Sequence, residues 1–179
     1  MIKVAINGFG RIGRLVFRIM ANDPEFDIVA INDLTDAEQL AYLLKYDTNH
    51  RNYNVDGISF VDNNIVVDGK KIPVYSSMDP SVLPWGELGV DVVFECSGKF
   101  TDKDKASLHI KAGAKKVIIS APAKGDLKTI VYNVNDDILT GEEEVISAAS
   151  CTTNCLAPVL KVINDEFGIE KGYMTTVHA

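Results

Sequence analysis

Cysteine, histidine and runs of one character are scarce in this sequence. Three cysteines in 179 residues cannot all pair within the chain, which argues against a disulfide scaffold and for a reduced compartment. Cys151 and Cys155 stand in C-x-x-x-C with no supporting histidine or cysteine beside them. Zinc wants about four well-spaced ligands, so no metal site is expected. No apolar run reaches the roughly 20 residues that span a bilayer, and the N-terminus lacks a signal-peptide pattern. A basic tract is missing too: 25 acids face 18 bases, for a net charge of −7. The densest candidate, "GAKK" at 113–116, opens a strand, so specific nucleic-acid binding is not expected. What remains is a soluble globular protein whose 46% apolar content suffices for a substantial core.

Strand and helix patterns alternate along the chain. "IKVAIN" (2–7) reads as a strand and 11–23 as a helix with Ile12, Leu15, Val16 and Ile19 on one face. "FDIVAIND" (26–33) is again strand-like, and 36–47 helical, with Leu40, Leu43 and Leu44 as its stripe and Asp36 able to cap it. Residues 53–76 change character: Asp-Gly at 56–57 and 68–69 and Asn-Asn at 63–64 predict inserted hairpins. Further strands are expected at 89–97, 115–121, 128–134 and 143–148, with a helix from Asp102 to about Ala112. The pattern predicts an α/β fold: a Rossmann-like, doubly wound, mostly parallel sheet with an inserted β-hairpin region. The final "KGYMTTVHA" (171–179) begins another strand and stops without a cap or turn signal. That ending reads either as a truncation or as an ordinary terminal edge strand.

"NGFGRIGR" (7–14) carries G-x-G-x-x-G at Gly8, Gly10 and Gly13, after a strand and opening a helix. The first glycine permits a tight turn, the second a close approach of backbone to a pyrophosphate, the third close helix–strand packing. Asp33 ends the next strand, about 20 residues beyond Gly13, where the fingerprint places the partner of a ribose diol. Its charge repels a 2′-phosphate, so NAD is the expected cofactor rather than NADP. Asp33 read blandly is a turn or capping acid. Arg11 either adds positive potential at the diphosphate or is an exposed helix arginine. A second loop, "CSGKF" (96–100), ends another strand on the same side of the sheet. Ser97 and Gly98 are candidates for ribose contact; Phe100 either lines the adenine side or belongs to the core. Ser120 and Pro122 end a further strand and can shape the route to the nicotinamide.

"SAASCTTNC" (147–155) is a strand-to-helix corner. Helix-end amides there favour a thiolate at Cys151, with His178 as the best distant base. Cys151 read blandly is a packed corner thiol. Ser150 can cap the helix, and Thr152 can touch a phosphate oxygen; these two are the candidate substrate contacts. Cys155 and Cys96 are expected to be small buried groups. His109 is expected to face solvent, and His50 to begin a polar loop.

Taken together, "NGFGRIGR", "IND", "KYD", "LPW", "GVDVVFE", "ISAP", "SCTTNCLAP" and "TTVHA" strongly resemble phosphorylating glyceraldehyde-3-phosphate dehydrogenases over essentially the whole chain. The resemblance implies an NAD-binding Rossmann domain over 1–150 and the start of a truncated catalytic domain over 151–179. It implies that Arg11 and Ile12 hold the diphosphate through backbone, that Asp33 holds the adenine ribose, and that Ser120 and the Ser97 loop border the cofactor; Asn7, Gly8, Gly10, Gly98 and Phe100 complete the candidate cofactor set. It also implies that the Cys151 thiolate attacks the aldehyde of glyceraldehyde 3-phosphate, that His178 takes the proton, and that inorganic phosphate releases 1,3-bisphosphoglycerate from a thioester. Such enzymes are cytoplasmic homotetramers of glycolysis. The same residues leave open a dehydrogenase of erythrose 4-phosphate or a related phosphorylated aldehyde, or a non-catalytic NAD-binding module. Three departures stand out: Met78 where arginine is frequent, Ala148 where asparagine is common, and Arg51 where glycine is frequent. The chain alone is expected to bind NAD weakly, if at all, and to have negligible dehydrogenase activity.

Overall fold

In the computed structural model, which describes residues 1–178, strand β1 (Ile2–Asn7) lies inside the sheet. Its last four residues are buried, as expected of a parallel strand covered on both faces. The sheet order is β3-β4-β5-β2-β1-β6-β7-β8. Here β2 is Phe26–Asn32, β6 Val92–Glu95, β7 Lys116–Ile119 and β8 Val145–Ser147. All pairings from β5 to β8 are parallel. β3 (Ile58–Val61), β4 (Asn64–Val67) and β5 (Lys70–Tyr75) form an antiparallel meander whose last strand joins the parallel sheet beside β2. The meander is the inserted hairpin region. Asp62 turns the first hairpin, and Asp68-Gly69, both at positive φ, turns the second.

The chain leaves β1 toward β2 on one side and returns as β6 on the other. That reversal at β1 is where an open α/β sheet presents a crevice for ligands. Successive residues of β1 serve opposite faces. Val4 and Ile6 pack with Phe17, Leu40, Leu44, Ile65 and Ile72; Ala5 packs with Trp85, Val93, Val117 and Val145. Each fully buried side chain of this size contributes about 1.5–3 kcal/mol.

Helix α1 (Arg11–Met20) is shorter than expected and rotated. Gly13, Phe17 and Met20 are buried, whereas Ile12 and Ile19 are exposed. The cause is Gly13, which must face the sheet: a Cβ there would lie 2.1 Å from the Gly8 carbonyl oxygen. Helix α2 (Ala37–Lys45) buries Leu40 and Leu44 and is capped by Asp36, whose carboxylate accepts from the Gln39 N–H at 2.8 Å. Two short helices, α4 (Lys103–Ala106) and α5 (Leu108–Lys111), follow α3 (Trp85–Leu88) and replace the single helix expected from Asp102.

Two expected strands do not form. Residues 128–134 touch the sheet edge only through a bridge at Thr129 and two hydrogen bonds with Ser147, because Asn133 adopts positive φ and the chain turns away. Residues 171–178 carry no regular secondary structure and pair with no strand among the described residues. Helix α6 (Cys151–Phe167) buries none of its residues and exposes Val159, Leu160, Val162, Ile163 and Phe167. No helix among the described residues is long and apolar enough to cross a membrane.

Candidate functional site

The C-terminal ends of β1, β2 and β6 converge on a cleft of about 280 Å³. Its walls include Asn7, Gly8, Gly10, Asp33, Ser97 and Phe100 from the predicted set. Gly8 is there because nothing else fits: at φ +90°, a Cβ would sit 2.6 Å from the Ser97 backbone. Gly10 has open space where its Cβ would be, and no side chain caps α1, whose Ncap it is. Its first-turn amides are therefore free to meet an anion, with the helix dipole favouring negative charge.

Asp33 serves two purposes. Its Oδ2 accepts from the Phe9 N–H at 2.7 Å, tying the strand end to the glycine turn, and its Oδ1 accepts from Thr35 N–H at 3.0 Å. The carboxylate braces the turn while lining the cleft, so the turn-acid reading and the ribose reading are compatible. Phe100, half-buried, lines the cleft and meets the His109 ring edge-to-face at 6.2 Å.

Other predicted residues lie elsewhere. The Arg11 guanidinium reaches Asp47 at 3.1 Å rather than the cleft, and neither it nor Ile12 lines the wall. Hydrogen bonds from the His50 and Asn49 backbone, together with Arg11, hold the Asp47 carboxyl well below the usual range. Gly98 adopts φ +72° and turns the loop. The Ser120 hydroxyl donates to the Glu95 carbonyl at 3.0 Å, closing the end of β6. Arg51, at φ +62°, occupies the left-handed conformation that glycine takes without cost. The Arg18 guanidinium bonds the carbonyls of Leu44, His50 and Arg51, and so holds this loop.

At the corner, Ala149 adopts φ +63° and Ser150 caps α6, its Oγ accepting from the Thr153 N–H at 2.9 Å. Cys151 is thereby the exposed first residue of a capped helix. Ser150 Oγ also shares a hydrogen bond with Thr153 Oγ1 at 2.8 Å, so its hydroxyl is engaged in the cap. Thr152 is half-buried in the first turn. His178 is exposed, contacts Thr176 Oγ1 at 3.0 Å, and makes no hydrogen bond to Cys151. The described conformation thus has no hydrogen bond between the candidate nucleophile Cys151 and the candidate base His178.

Three burial expectations are corrected. Cys155 is exposed, because the face of α6 that carries it has nothing packed on it. Cys96 is half-buried at the cleft, where burial pushes its thiol up to about 11. His109 is fully buried rather than solvent-facing. The indole N–H of Trp85 donates to its Nδ1 at 2.9 Å, and its Nε2 lies 3.0 Å from Glu95 Oε2.

Sequence reasoning passed over Glu95, Asn32 and Ser77. Asn32 donates to Asn7 Oδ1 at 2.7 Å and to the Ser77 carbonyl at 3.0 Å, and accepts from the Ser77 N–H at 2.9 Å. The available signal was polar residues ending otherwise apolar strands at Asn7, Asn32 and Glu95. Met78, the departure noted above, also lines the cleft.

Comparison with known proteins accords with this geometry. Residues 2–103 match the family model described as "Glyceraldehyde 3-phosphate dehydrogenase, NAD binding domain", and 150–179 the corresponding C-terminal domain. The chain is 62% identical over its whole length to the glyceraldehyde-3-phosphate dehydrogenase of Clostridium pasteurianum, covering 53% of that protein. It is 60% identical to the Clostridium acetobutylicum enzyme of the same name, again covering 53%, and 54% identical to that of Thermotoga maritima, covering 54%. The chain spans about half the length of these curated relatives. Residues 2–103 are therefore an NAD-binding domain of the Rossmann type, and the chain belongs to the glyceraldehyde-3-phosphate dehydrogenase family.

Proposed function

We propose that this chain contributes the cofactor site and the nucleophile to an NAD-dependent, phosphorylating oxidation of glyceraldehyde 3-phosphate. The observation that carries the reading is the cleft itself. Gly8 on its wall and Gly13 behind the turn admit no side chain, Gly10 leaves open space before uncapped helix amides, and Asp33 stands on the wall. Such a cradle fits a dinucleotide: a backbone anion site at the turn and a carboxylate to accept from a ribose diol. NAD held there supplies the hydride acceptor.

The chemistry assigned to the chain follows from position. Cys151 sulfur bonds to the aldehyde carbon at the amide-rich start of α6, where the developing oxyanion meets N–H donors. His178 takes the hydroxyl proton of that adduct as the carbon gives up hydride, which leaves a thioester on Cys151. Attack by a phosphate oxygen then breaks the carbon–sulfur bond, releasing 1,3-bisphosphoglycerate and the thiolate. The assignment requires residues 171–178 to leave their exposed course and carry His178 to the sulfur. Residues 1–150 act as the dinucleotide domain and 151–179 begin the catalytic one, in a cytoplasmic homotetramer of glycolysis. Ser150 and Thr152 face the substrate end, with Ser150 acting mainly by holding the corner.

A hybrid joining residues 1–179 to the remainder of the Clostridium pasteurianum relative tests this reading. NADH formation should require both glyceraldehyde 3-phosphate and inorganic phosphate. Cys151→Ser should lower kcat by about 10³-fold or more, since it removes the covalent route. Faster turnover of erythrose 4-phosphate, or activity indifferent to Cys151→Ser, would reject it.

A further inference from the structure

Glu95 is 1% exposed, yet it ends a strand at the cleft. Its carboxylate gathers four donors. Oε1 accepts from the Ser97 N–H at 2.8 Å and from the Ser97 hydroxyl; Oε2 accepts from Asn7 Nδ2 at 2.5 Å and from His109 Nε2 at 3.0 Å. The last donor is fixed from behind. An indole N–H can only donate, so Trp85 makes His109 Nδ1 the acceptor and leaves the hydrogen on Nε2. A carboxylate has about four acceptor positions, and all four are filled. Burying a carboxylate is costly unless it is saturated in this way, and an arrangement this specific acts on what it holds.

It holds two of the polar side chains that line the cleft, Asn7 and Ser97. Asn7 is pinned between Glu95 and Asn32. Ser97 Oγ gives its hydrogen to Glu95 and accepts from the Lys99 N–H at 3.1 Å. That hydroxyl therefore has no hydrogen left for a ligand and one lone pair to offer. An acceptor suits a sugar hydroxyl; it does not suit a phosphate oxygen, which only accepts.

We infer that Glu95 is a positioning residue for the dinucleotide: it locks the Ser97 loop and turns the Ser97 hydroxyl into an obligate acceptor for a ribose hydroxyl of NAD. The inference rests on the cofactor reading of the cleft proposed above. Glutamine at 95 cannot reproduce the lock. With its oxygen toward Asn7 and His109, its amide faces the Ser97 N–H donor to donor; turned over, it faces the Asn7 and His109 donors instead.

The test uses the full chain, with NAD titrations followed by amide NMR signals and hydrogen exchange measured at Ser97 and Lys99. Glu95→Gln should weaken NAD at least tenfold, read as lost saturation at millimolar ligand, and should speed exchange at both amides. Ser97→Ala should weaken NAD about fivefold, and the double variant should be no worse than Glu95→Gln alone, since both remove one device. NAD affinity within twofold of the parent in Glu95→Gln, or fully multiplying effects in the double variant, would overturn the role of Glu95 and leave the cleft reading intact. A parent chain that binds no NAD at millimolar concentration would instead remove the cofactor reading, and this inference with it. If Glu95→Gln does not fold, as judged by Trp85 emission, the Ser97 variants decide. Ser97→Thr should then restore the affinity lost in Ser97→Ala, and an unchanged Ser97→Ala overturns the proposal.

Discussion

Phe17 and Phe167 are the same side chain at matching places, each in the last turns of a helix. The first is 1% exposed and packs edge-to-face on Phe9 at 5.6 Å; the second is 86% exposed and touches nothing comparable. The difference extends to whole regions. Residues 1–150 close two hydrophobic clusters over the faces of one sheet, whereas 151–178 bury no residue at all. Helix α6 nonetheless has a good start, capped by Ser150 and braced by Asn154, whose amide donates to the Ala148 and Ser150 carbonyls at 2.8 and 2.9 Å. Local signals suffice to begin a helix, but an apolar face is stabilised only by what covers it. The candidate cofactor cleft thus lies in the packed region, and the proposed nucleophile, Cys151, at the junction with the other.

The largest expected effect sets the two phenylalanines against each other. Phe17→Ala should cost about 3–5 kcal/mol through the cavity it leaves, while Phe167→Ala should stay within about 0.5 kcal/mol. Urea unfolding followed by Trp85 emission measures both; equal losses would break the comparison. Gly13→Ala comes next. Its Cβ meets a backbone oxygen rather than a movable side chain, so about 1–3 kcal/mol of overpacking is expected, together with NAD affinity reduced at least tenfold in NMR titration. Asp33→Ala should lower NAD affinity about tenfold and narrow the preference over NADP, because one change removes both the brace on Phe9 N–H and the charge that repels a 2′-phosphate. Ser150→Ala should cost α6 about 1 kcal/mol, visible as faster hydrogen exchange at Thr153 without a change in Trp85 emission.

The smallest effect is one of pH. Asp47 and Glu143 are both held well below the carboxylate range, Asp47 chiefly by the His50 N–H and Glu143 chiefly by Lys128. A depressed carboxyl stabilises the fold above its unfolded value and loses that contribution as pH falls through its folded value. Acid should therefore loosen the 46–53 loop and the 140–144 turn only below about pH 4. Asp47→Asn should abolish the pH dependence of exchange in the first of these. Loosening that began near neutral pH would contradict the assignment.

How much of this was legible depends on where the cause lies. The glycine turn, Asp33, the Asp36 cap and the Cys151 corner each depend on residues a few positions apart or at a fixed spacing, and all are where the sequence places them. The rotation of α1 was not legible, because apolarity alone favours the face with Ile12 and Ile19. Contact between Gly13 and the Gly8 carbonyl instead selects the adjoining face of Gly13, Phe17 and Met20, with Val16 of the expected stripe still packed on the core. His109 misled for a similar reason. Lysines surround it in sequence, but its partners are Trp85 and Glu95, 24 and 14 residues away.

The order of residues by itself determined the strand–turn–helix of the candidate phosphate cradle, the acid at the next strand end, and a capped helix beginning at a cysteine. Only the tertiary structure decided that the Asp33 carboxylate braces the glycine turn, that Arg11 turns to Asp47, and that Glu95 becomes the saturated centre of a buried relay beneath the cleft. The physical reason is range. Caps and turns are settled within one helical turn of chain, whereas a buried charge is tolerated only when donors from distant strands and helices arrive together around it.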